Sequence, residues 1–248
     1  MAEAVFTSDA RDVSVDSPLL AAKNLEAWYG ESHVLHGVTF DVRPGEVITL
    51  LGRNGAGKTT TLKAIMGILP KRKGSVLFQG KELMHTPSRH VAREGIAFCP
   101  EERGIFASLS VEENLMLPPQ VRPGGMSVDR IFELFPNLKE RLSSQGTKLS
   151  GGEQQMLAIA RILRTGAKML LLDEPTEGLA PVIIQQIGKT IARLKQEGFT
   201  IVLVEQNFRF ASTVADRHYV VEQGRVVDMI ENDQLNANVA KIEAYLGV

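Results

Sequence analysis

The chain alternates between two patterns of hydrophobic and polar positions, one typical of strands and one of helices. Short apolar runs separated by turn residues fill residues 19–51, which predicts an antiparallel hairpin region. A continuous apolar run at 169–172 is followed by helical spacing over 182–194 and by a strand-like run at 200–204. Strands and helices in this order indicate a parallel sheet with helices on both faces.

The stretch between these two regions is mainly helical, with a loop rich in proline and glycine at 118–125. We therefore expect an α/β fold with a mainly parallel core sheet, an N-terminal antiparallel β subdomain and a helical subdomain inserted at about residues 101–165. Residues 19–248 would form one domain that ends in a strand pair and a helix. Residues 1–18 lack the basic start and apolar core of a secretory signal, and we expect them to be disordered.

Residues 52–59 read Gly-Arg-Asn-Gly-Ala-Gly-Lys-Thr and lie between a β-branched apolar run and a segment, 60–69, that can form a helix. Glycines there allow backbone N–H groups to approach a polyphosphate closely, and the helix points its positive end at the same anion. Lys58 would reach the β- and γ-phosphates, Thr59 would bind Mg²⁺, and Thr60 lies within reach of the α-phosphate. The alternative, a glycine-rich turn with an exposed lysine, is disfavoured because both flanking elements are present. The nucleotide-binding candidates here are Gly52, Arg53, Asn54, Gly55, Ala56, Gly57, Lys58, Thr59 and Thr60.

Two carboxylates, Asp173 and Glu174, end the apolar run at 169–172. Ligands of open α/β sheets bind at the carboxyl ends of the strands, the end that the phosphate loop also faces. Asp173 is suited to hold Mg²⁺, and Glu174 to orient and deprotonate the water that attacks the γ-phosphate. Two solvated acids ahead of Pro175 are the plainer alternative, which the presence of a phosphate loop in the same chain disfavours.

A second glycine-containing segment, Ser150-Gly151-Gly152-Glu153, has two compatible interpretations. As a capping box it starts an amphipathic helix, with the Ser150 and Glu153 side chains bonded to each other's backbone N–H groups. As a helix start with bare glycine N–H groups it is also a site for an anion. A chain with two such sites is equipped to hold one nucleotide from two sides.

These three segments resemble the ATP-binding cassette family, over about residues 19–231. In the family's terms, residues 52–59 are the Walker A motif, 149–155 the signature and 170–174 the Walker B motif. The resemblance implies a P-loop NTPase core of the RecA type, ATP and Mg²⁺ as cofactors, and an ATPase activity coupled to transport. It also implies a head-to-tail dimer with a second ATPase subunit, in which Ser150, Gly151 and Gly152 act on the nucleotide of the partner. Glu153 joins them as a nucleotide-binding candidate.

Three more positions take their roles from the resemblance alone. Tyr29 matches the aromatic residue that stacks on adenine, Glu101 lies in the loop that senses both Mg²⁺ and the transporter, and Gln206 stands where a histidine contacts the γ-phosphate. Glutamine is usual at the position of Glu101, and aspartate at that of Ala180 in the loop that contacts the dimer partner. The catalytic candidates are Glu174, Lys58 and Gln206, and the metal candidates are Thr59, Asp173 and Glu101.

These departures together resemble one branch of the family, the smaller ATPase subunit of branched-chain amino acid importers with its urea and amide relatives. We therefore expect a peripheral ATPase at the cytoplasmic face of the inner or plasma membrane, soluble when expressed alone. Its partners would be two transmembrane permeases and, indirectly, a solute-binding protein. A lipopolysaccharide-export ATPase is a second transport interpretation, against which Gln206 and Glu101 argue. A soluble cassette protein that acts on ribosomes or DNA is the alternative from a different class.

Composition adds three constraints to this expectation. A net charge of −1 provides no overall field that attracts nucleic acid, and we expect no nucleic acid partner. The longest apolar runs span a handful of residues, far below the roughly 20 that a membrane-spanning helix needs. Cys99 is the only cysteine, which excludes an internal disulfide.

The basic cluster at 71–73 follows a predicted helix end, where we expect it to be solvated.

Overall fold

The computed structural model describes residues 17–247, and their strands form two sheets. The disorder expected for residues 1–18 therefore concerns a segment that, except for 17 and 18, lies outside the described residues. In chain order the strands are β1 (Leu20–Tyr29), β2 (Ser32–Val42), β3 (Val47–Leu51), β4 (Arg72–Phe78), β5 (Lys81–Glu82), β6 (Ile96–Cys99), β7 (Met169–Asp173), β8 (Thr200–Glu205), β9 (Arg217–Glu222) and β10 (Arg225–Glu231).

The first sheet is antiparallel and has the strand order β2-β1-β4-β5. Its first two strands form the hairpin predicted for this region, with pairing that runs from Leu20 opposite Val42 to Tyr29 opposite Ser32. Gly30, at φ +57°, supplies the turn between them because a residue without Cβ adopts this conformation freely.

The second sheet has the order β10-β9-β3-β8-β7-β6, and all its pairings are parallel except that of β10 with β9. Every residue of β3, β7 and β8 is buried, so their sequences are almost continuously apolar, as expected of parallel strands covered on both faces. Leu51 pairs with Glu205, and Asp173 pairs with Val204, so the carboxyl ends of β3, β8 and β7 lie at one edge. The predicted α/β fold with a mainly parallel core sheet is confirmed.

Helices lie between most of the strands of the second sheet. In chain order they are α1 (Lys58–Ile65), α2 (Ser88–Arg93), α3 (Val111–Met116), α4 (Val128–Leu134), α5 (Pro136–Glu140), α6 (Gly151–Leu163), α7 (Pro181–Gln196), α8 (Phe208–Ala211) and α9 (Val239–Leu246). Four of them, α3 to α6, fall within the stretch 101–165 proposed as an inserted helical subdomain. The first helix is shorter than the segment 60–69 suggested, because the chain turns at Gly67 with φ +69°. Within residues 17–247, no helix has both the length and the apolar character needed to cross a bilayer.

The core strands separate two apolar clusters. Leu170 and Leu172 of β7 pack with α6 and α7 residues such as Ile187 on one face of the sheet. Leu171, on the opposite face, packs with α1 and the antiparallel sheet, including Leu25. This alternation places α7 and α1 on opposite sides of β7. The strand that carries the candidate site is therefore packed between two helices.

The expectation that residues 71–73 are solvated is wrong for Arg72. Its guanidinium is half-buried and donates hydrogen bonds to the carbonyl oxygens of Ala64, Leu83 and Met84. Burial lowers the pKa of Arg72. The Ala64 carbonyl in the last turn of α1 needs a donor, and β4 places Arg72 where it supplies one.

The chain's last helix packs on the second sheet. Ile242 and Leu246 of α9 are buried with Val220 and Ile230, and partly buried Phe208 joins the same cluster. At the end of α9, a Cβ on Gly247 would lie 3.0 Å from the guanidinium carbon of Arg53. The C-terminal end of α9 therefore lies beside the phosphate loop.

Candidate nucleotide site

The phosphate loop is the connection between β3 and α1, and two of its three glycines, Gly52 and Gly57, lie in close contact with other segments. A Cβ at Gly52 would lie 2.3 Å from the Val221 carbonyl oxygen, and one at Gly57 would lie 2.9 Å from Leu35. Gly57 also has φ +106°, which other residues rarely adopt. The loop is held from outside by a hydrogen bond from the Gly224 N–H to the Ala56 carbonyl oxygen, at 2.8 Å.

Lys58 starts α1 and its side chain turns back into the loop. The ammonium donates to the carbonyl oxygens of Gly52 at 2.8 Å and Arg53 at 3.1 Å. It also lies 3.1 Å from Glu174 Oε1, and both side chains are buried. A buried cation at the mouth of a glycine loop is the arrangement that binds phosphate oxygens.

Asp173, the last residue of β7, has one satisfied and one unsatisfied oxygen. Its Oδ1 accepts a hydrogen bond from the Thr59 hydroxyl at 2.9 Å, while Oδ2 is buried without a hydrogen-bond partner among the described residues. Burial raises the pKa of Asp173 to about 6; the Thr59 hydrogen bond opposes this shift, and nearby Glu174 and Glu101 add to it. A cation would favour the ionised carboxylate, and Mg²⁺ prefers such oxygen donors, so Asp173 and Thr59 fit the metal.

Glu174 directly follows β7 in an unusual backbone conformation. Its φ of +44° lies in the left-handed region, and its N–H donates to the Val204 carbonyl oxygen at 3.0 Å. In this conformation the side chain has two partners. Its Oε1 faces Lys58, and its Oε2 accepts a hydrogen bond from Gln206 Nε2 at 2.6 Å. The three catalytic candidates therefore form one contact chain, which the sequence did not predict.

Two adjoining cavities, each of about 340 Å³, open at this edge of the sheet. One is lined by the phosphate loop together with Val34, and the other by Arg103 and Gln155. Glu101, Glu174 and Glu177 line both of them. Val34 and Glu177 were not among the sequence candidates, although Glu177 follows Glu174 by three residues and could have been suspected on that spacing.

Carboxylates are crowded where the cavities meet. Glu101 follows β6, is exposed, and lies near enough to Asp173 and Glu177 to raise the pKa of both. Burial is the largest cause of the raised pKa at Glu177, and Glu174 comes second. Cations bound between these acids would relieve the repulsion.

The predicted capping box is present at the start of α6. Ser150 Oγ accepts from the Glu153 N–H at 3.3 Å, and Glu153 Oε2 accepts from the Ser150 N–H at 2.8 Å. Partial burial raises the pKa of Glu153, but the hydrogen bonds from Ser150 and the charge of Arg141 lower it below its usual value. A Cβ at Gly152 would lie 2.9 Å from Ile183, so α6 and α7 approach closely at this glycine. None of the residues 150–153 lines the two described cavities.

Tyr29 lies at the end of β1 and is 45% exposed. It does not line the phosphate cavity, but Val34 of the same hairpin does. An exposed ring on the hairpin that contributes Val34 to this cavity is available for stacking on a flat ligand.

A further buried acid, Glu205, ends β8 next to Gln206. Burial raises the pKa of Glu205 to about 7, although hydrogen bonds from the Thr176 hydroxyl and the Asn207 N–H lower it. The sequence offered a signal for it, since Glu205 follows an apolar strand as Asp173 and Glu174 do.

Known proteins resemble this chain over most of its length. The high-affinity branched-chain amino acid transport ATP-binding protein BraG of Pseudomonas aeruginosa is 44% identical, over 92% of this chain and 100% of BraG. The lipopolysaccharide export system ATP-binding protein LptB of Escherichia coli K12 is 37% identical, over 84% of this chain and 88% of LptB.

Solved structures show the same fold. A nucleotide-free ATP-binding cassette from an ABC transporter matches with a TM-score of 0.80 at 24% identity, over 94% of this chain and 99% of that one. A dimeric cassette in a post-hydrolysis state, bound to ADP and Pi, matches with a TM-score of 0.76 at 23% identity, over 86% of this chain and 98% of that one. Residues 35–177 match the ABC transporter family itself. With more than half of its length in that match, the chain belongs to the ABC transporter family, as an ATP-binding subunit whose ATPase activity is coupled to transport.

Proposed function

We propose that this chain is the ATP-hydrolysing subunit of an ABC importer for branched-chain amino acids. The observation that carries the proposal is the 44% identity to BraG over the whole length of that protein. The substitutions Glu101, Ala180 and Gln206, read from the sequence as marks of the same branch, support it.

ATP would bind with its phosphates in the loop of residues 52–57 and its adenine against Tyr29. The Lys58 ammonium would exchange its contacts with Glu174 and the loop carbonyls for contacts with the β- and γ-phosphates. Thr59 and Asp173 would hold Mg²⁺, which neutralises charge on the phosphate oxygens when bound. The unpaired Oδ2 of Asp173 supports this assignment.

Glu174 would act as the general base for hydrolysis. Once Lys58 turns to the phosphates, the Glu174 carboxylate has an oxygen free to orient a water and accept its proton. Gln206 donates to the other oxygen, Oε2, and so keeps the carboxylate from rotating. In this proposal Gln206 acts on Glu174 as well as near the γ-phosphate.

The signature residues Ser150, Gly151, Gly152 and Glu153 would complete the site of a second ATPase subunit in a head-to-tail dimer. Ser150 is exposed at the start of α6, where a partner can reach it, and a dimeric cassette shares the fold; both observations support action on the partner. The subunit would sit at the cytoplasmic face of the membrane through two permeases, which receive substrate from a solute-binding protein.

One further function has specific support. The 37% identity to LptB favours lipopolysaccharide export as the second candidate, although Gln206 and Glu101 argue for the importer branch. Urea and short amides are the other candidate cargoes, because substrate would be recognised by other subunits.

Uptake in cells tests the cargo. A strain lacking this chain should lose uptake of labelled leucine, isoleucine and valine, and the wild-type chain should restore it while Lys58→Ala does not. Uptake of labelled urea serves as the parallel control. Normal amino acid uptake in the deletion strain, or loss of urea uptake alone, would overturn the proposed cargo.

A pull-down tests the assembly. The chain with an N-terminal tag should recover two permeases and a second ATPase from solubilised membranes, and the Glu174→Gln variant should recover them with ATP present. Permeases that carry lipopolysaccharide would support the second candidate, and ribosomal proteins would overturn both transport functions.

A further inference from the structure

Glu205 is a buried acid for which the proposed nucleotide chemistry has no use. Only 3% of the residue is exposed at the end of β8. Its Oε1 accepts a hydrogen bond from the Thr176 hydroxyl at 2.7 Å, and its Oε2 accepts from the Asn207 N–H at 3.4 Å. One carboxyl group therefore binds the segment that follows β7 and the segment that follows β8.

These two segments carry Glu174 and Gln206, the pair joined by a 2.6 Å hydrogen bond. The left-handed backbone of Glu174 is unfavourable for a residue with a Cβ, so the surroundings have to hold it. Thr176, two residues further on, is buried and is bonded to Glu205 through its hydroxyl. The hydrogen bond from Glu174 N–H to Val204 ties the same turn to the residue before Glu205.

We propose that Glu205 is a positioning residue that keeps the Glu174 carboxylate in place for ATP hydrolysis, by holding Thr176 on one side and Asn207 on the other. The proposal rests on the general-base role of Glu174. Through Thr176, Glu205 fixes the turn that aims Glu174 at Lys58; through Asn207, it fixes the backbone from which Gln206 reaches Oε2.

The free-energy cost of burying the Glu205 carboxylate supports a role in activity. A carboxylate in this position is desolvated, as its raised pKa indicates, and an apolar side chain of similar volume would be cheaper to bury. Acids whose pKa is perturbed by burial cluster at functional sites, and Glu205 lies close enough to Glu174 for that charge to raise its pKa further.

Substitutions at the two ends of the hydrogen bond test the proposal. Glu205→Met removes both acceptors at similar volume, and we expect kcat for ATP to fall at least about tenfold while KM changes by less than about threefold. Glu205→Gln retains a hydrogen-bonding group for each partner and should restore most of kcat. Thr176→Val should lower kcat in the same way, and Thr176→Ser should not.

Thr190→Val is the matched control for Thr176→Val. Thr190 is also buried, but its hydroxyl donates to the Gln186 carbonyl within α7, and we expect no change in kcat. If Glu205→Met fails to fold, the pair Thr176→Val and Thr176→Ser decides the question. Parent kcat in Glu205→Met, or equal losses in Thr176→Val and Thr190→Val, would overturn the proposal.

A coupling measurement separates positioning from a structural role. If Glu205 acts by holding Glu174 and Gln206 together, Gln206→Ala should reduce kcat less in the Glu205→Met background than in the parent. The positioning role would be contradicted if the two substitutions reduced kcat independently, so that their effects multiply, and if each loss of kcat matched a fall in melting temperature. If Glu174→Gln hydrolyses ATP at the parent rate, the base assignment fails; if it is slow while Glu205→Met is not, only the positioning role fails.

Discussion

The ammonium of Lys58 lies 3.1 Å from Glu174 Oε1, so the proposed phosphate ligand and the proposed general base are an ion pair. Both groups are buried, and the pair also receives the Gln206 amide at Glu174 Oε2. Phosphate oxygens and the carboxylate therefore compete for one cation. Binding of ATP and release of the base would be a single exchange at Lys58.

Glu174→Gln should slow the chemical step with little effect on ATP binding. Glutamine keeps the size of the side chain but does not accept a proton, and general-base assistance contributes about 10²–10⁴-fold to rate. Steady-state kinetics should show the loss in kcat, with ATP affinity by calorimetry nearly unchanged. Hydrolysis at the parent rate would remove Glu174 from the mechanism.

The same variant should accumulate as an ATP-bound dimer, since the nucleotide persists between the phosphate loop and the partner's signature. Light scattering with Mg-ATP measures the dimer. Adding Ser150→Arg should prevent it, because the larger, positively charged side chain would obstruct the helix start proposed to meet the partner's nucleotide. A dimer indifferent to Ser150→Arg would contradict action of the signature on the partner subunit.

Lys58→Ala should weaken ATP binding. The change removes the mobile positive charge aimed at the β- and γ-phosphates, and charge-assisted hydrogen bonds contribute about 1.5–3 kcal/mol each. Calorimetric titration should show a loss of at least about tenfold in affinity. Lys189→Ala, an exposed lysine of α7 that lines neither cavity of the site, is the control for loss of charge alone. Equal affinities in both variants would place the phosphates elsewhere.

Gln206 can be replaced by some side chains and not by others. Gln206→His keeps an N–H donor within reach of Glu174 Oε2, so turnover should be preserved or rise. Gln206→Glu places a second carboxylate against the first and should lower kcat. Multiple-turnover assays at saturating ATP compare the two variants. Loss of hydrolysis in Gln206→His, with fold and ATP affinity intact, would show that an N–H donor to Glu174 is not sufficient for the role of Gln206.

Glu205 should make the wild-type protein less stable as pH rises. Its pKa of about 7 exceeds the usual 4.5, so the folded state holds a proton that the unfolded state has released between these values. Stability from this group is fully present below about pH 4.5 and lost as pH rises to about 7. Urea unfolding should show wild type losing stability relative to Glu205→Gln between pH 5 and 8. If the free energy of unfolding changed with pH in the same way in both proteins, the pKa of Glu205 would not be raised.

The core strands and the phosphate loop could be predicted from the sequence because each depends on a contiguous pattern. Buried parallel strands are apolar at nearly every position, as in β7, and a capping box needs only the spacing of Ser150 and Glu153. The chemistry of such segments follows from neighbours along the chain.

Contacts between separate strand ends could not be predicted in this way. The bonds from Gln206 to Glu174 and from Thr176 to Glu205 depend on the register of β7 with β8, which no local pattern specifies. Arg72 was misjudged for the same reason, because its acceptors come from α1 and from residues 83–86.

The proximity of Gly247 to Arg53 decides where an affinity tag belongs. Residues fused after α9 would begin beside the phosphate loop and could reach the surface over which nucleotide enters. The two residues are close, since a single methyl group on Gly247 would already lie 3.0 Å from the guanidinium carbon of the exposed Arg53 side chain. Affinities measured with a C-terminal fusion would therefore report the tag as well as the protein.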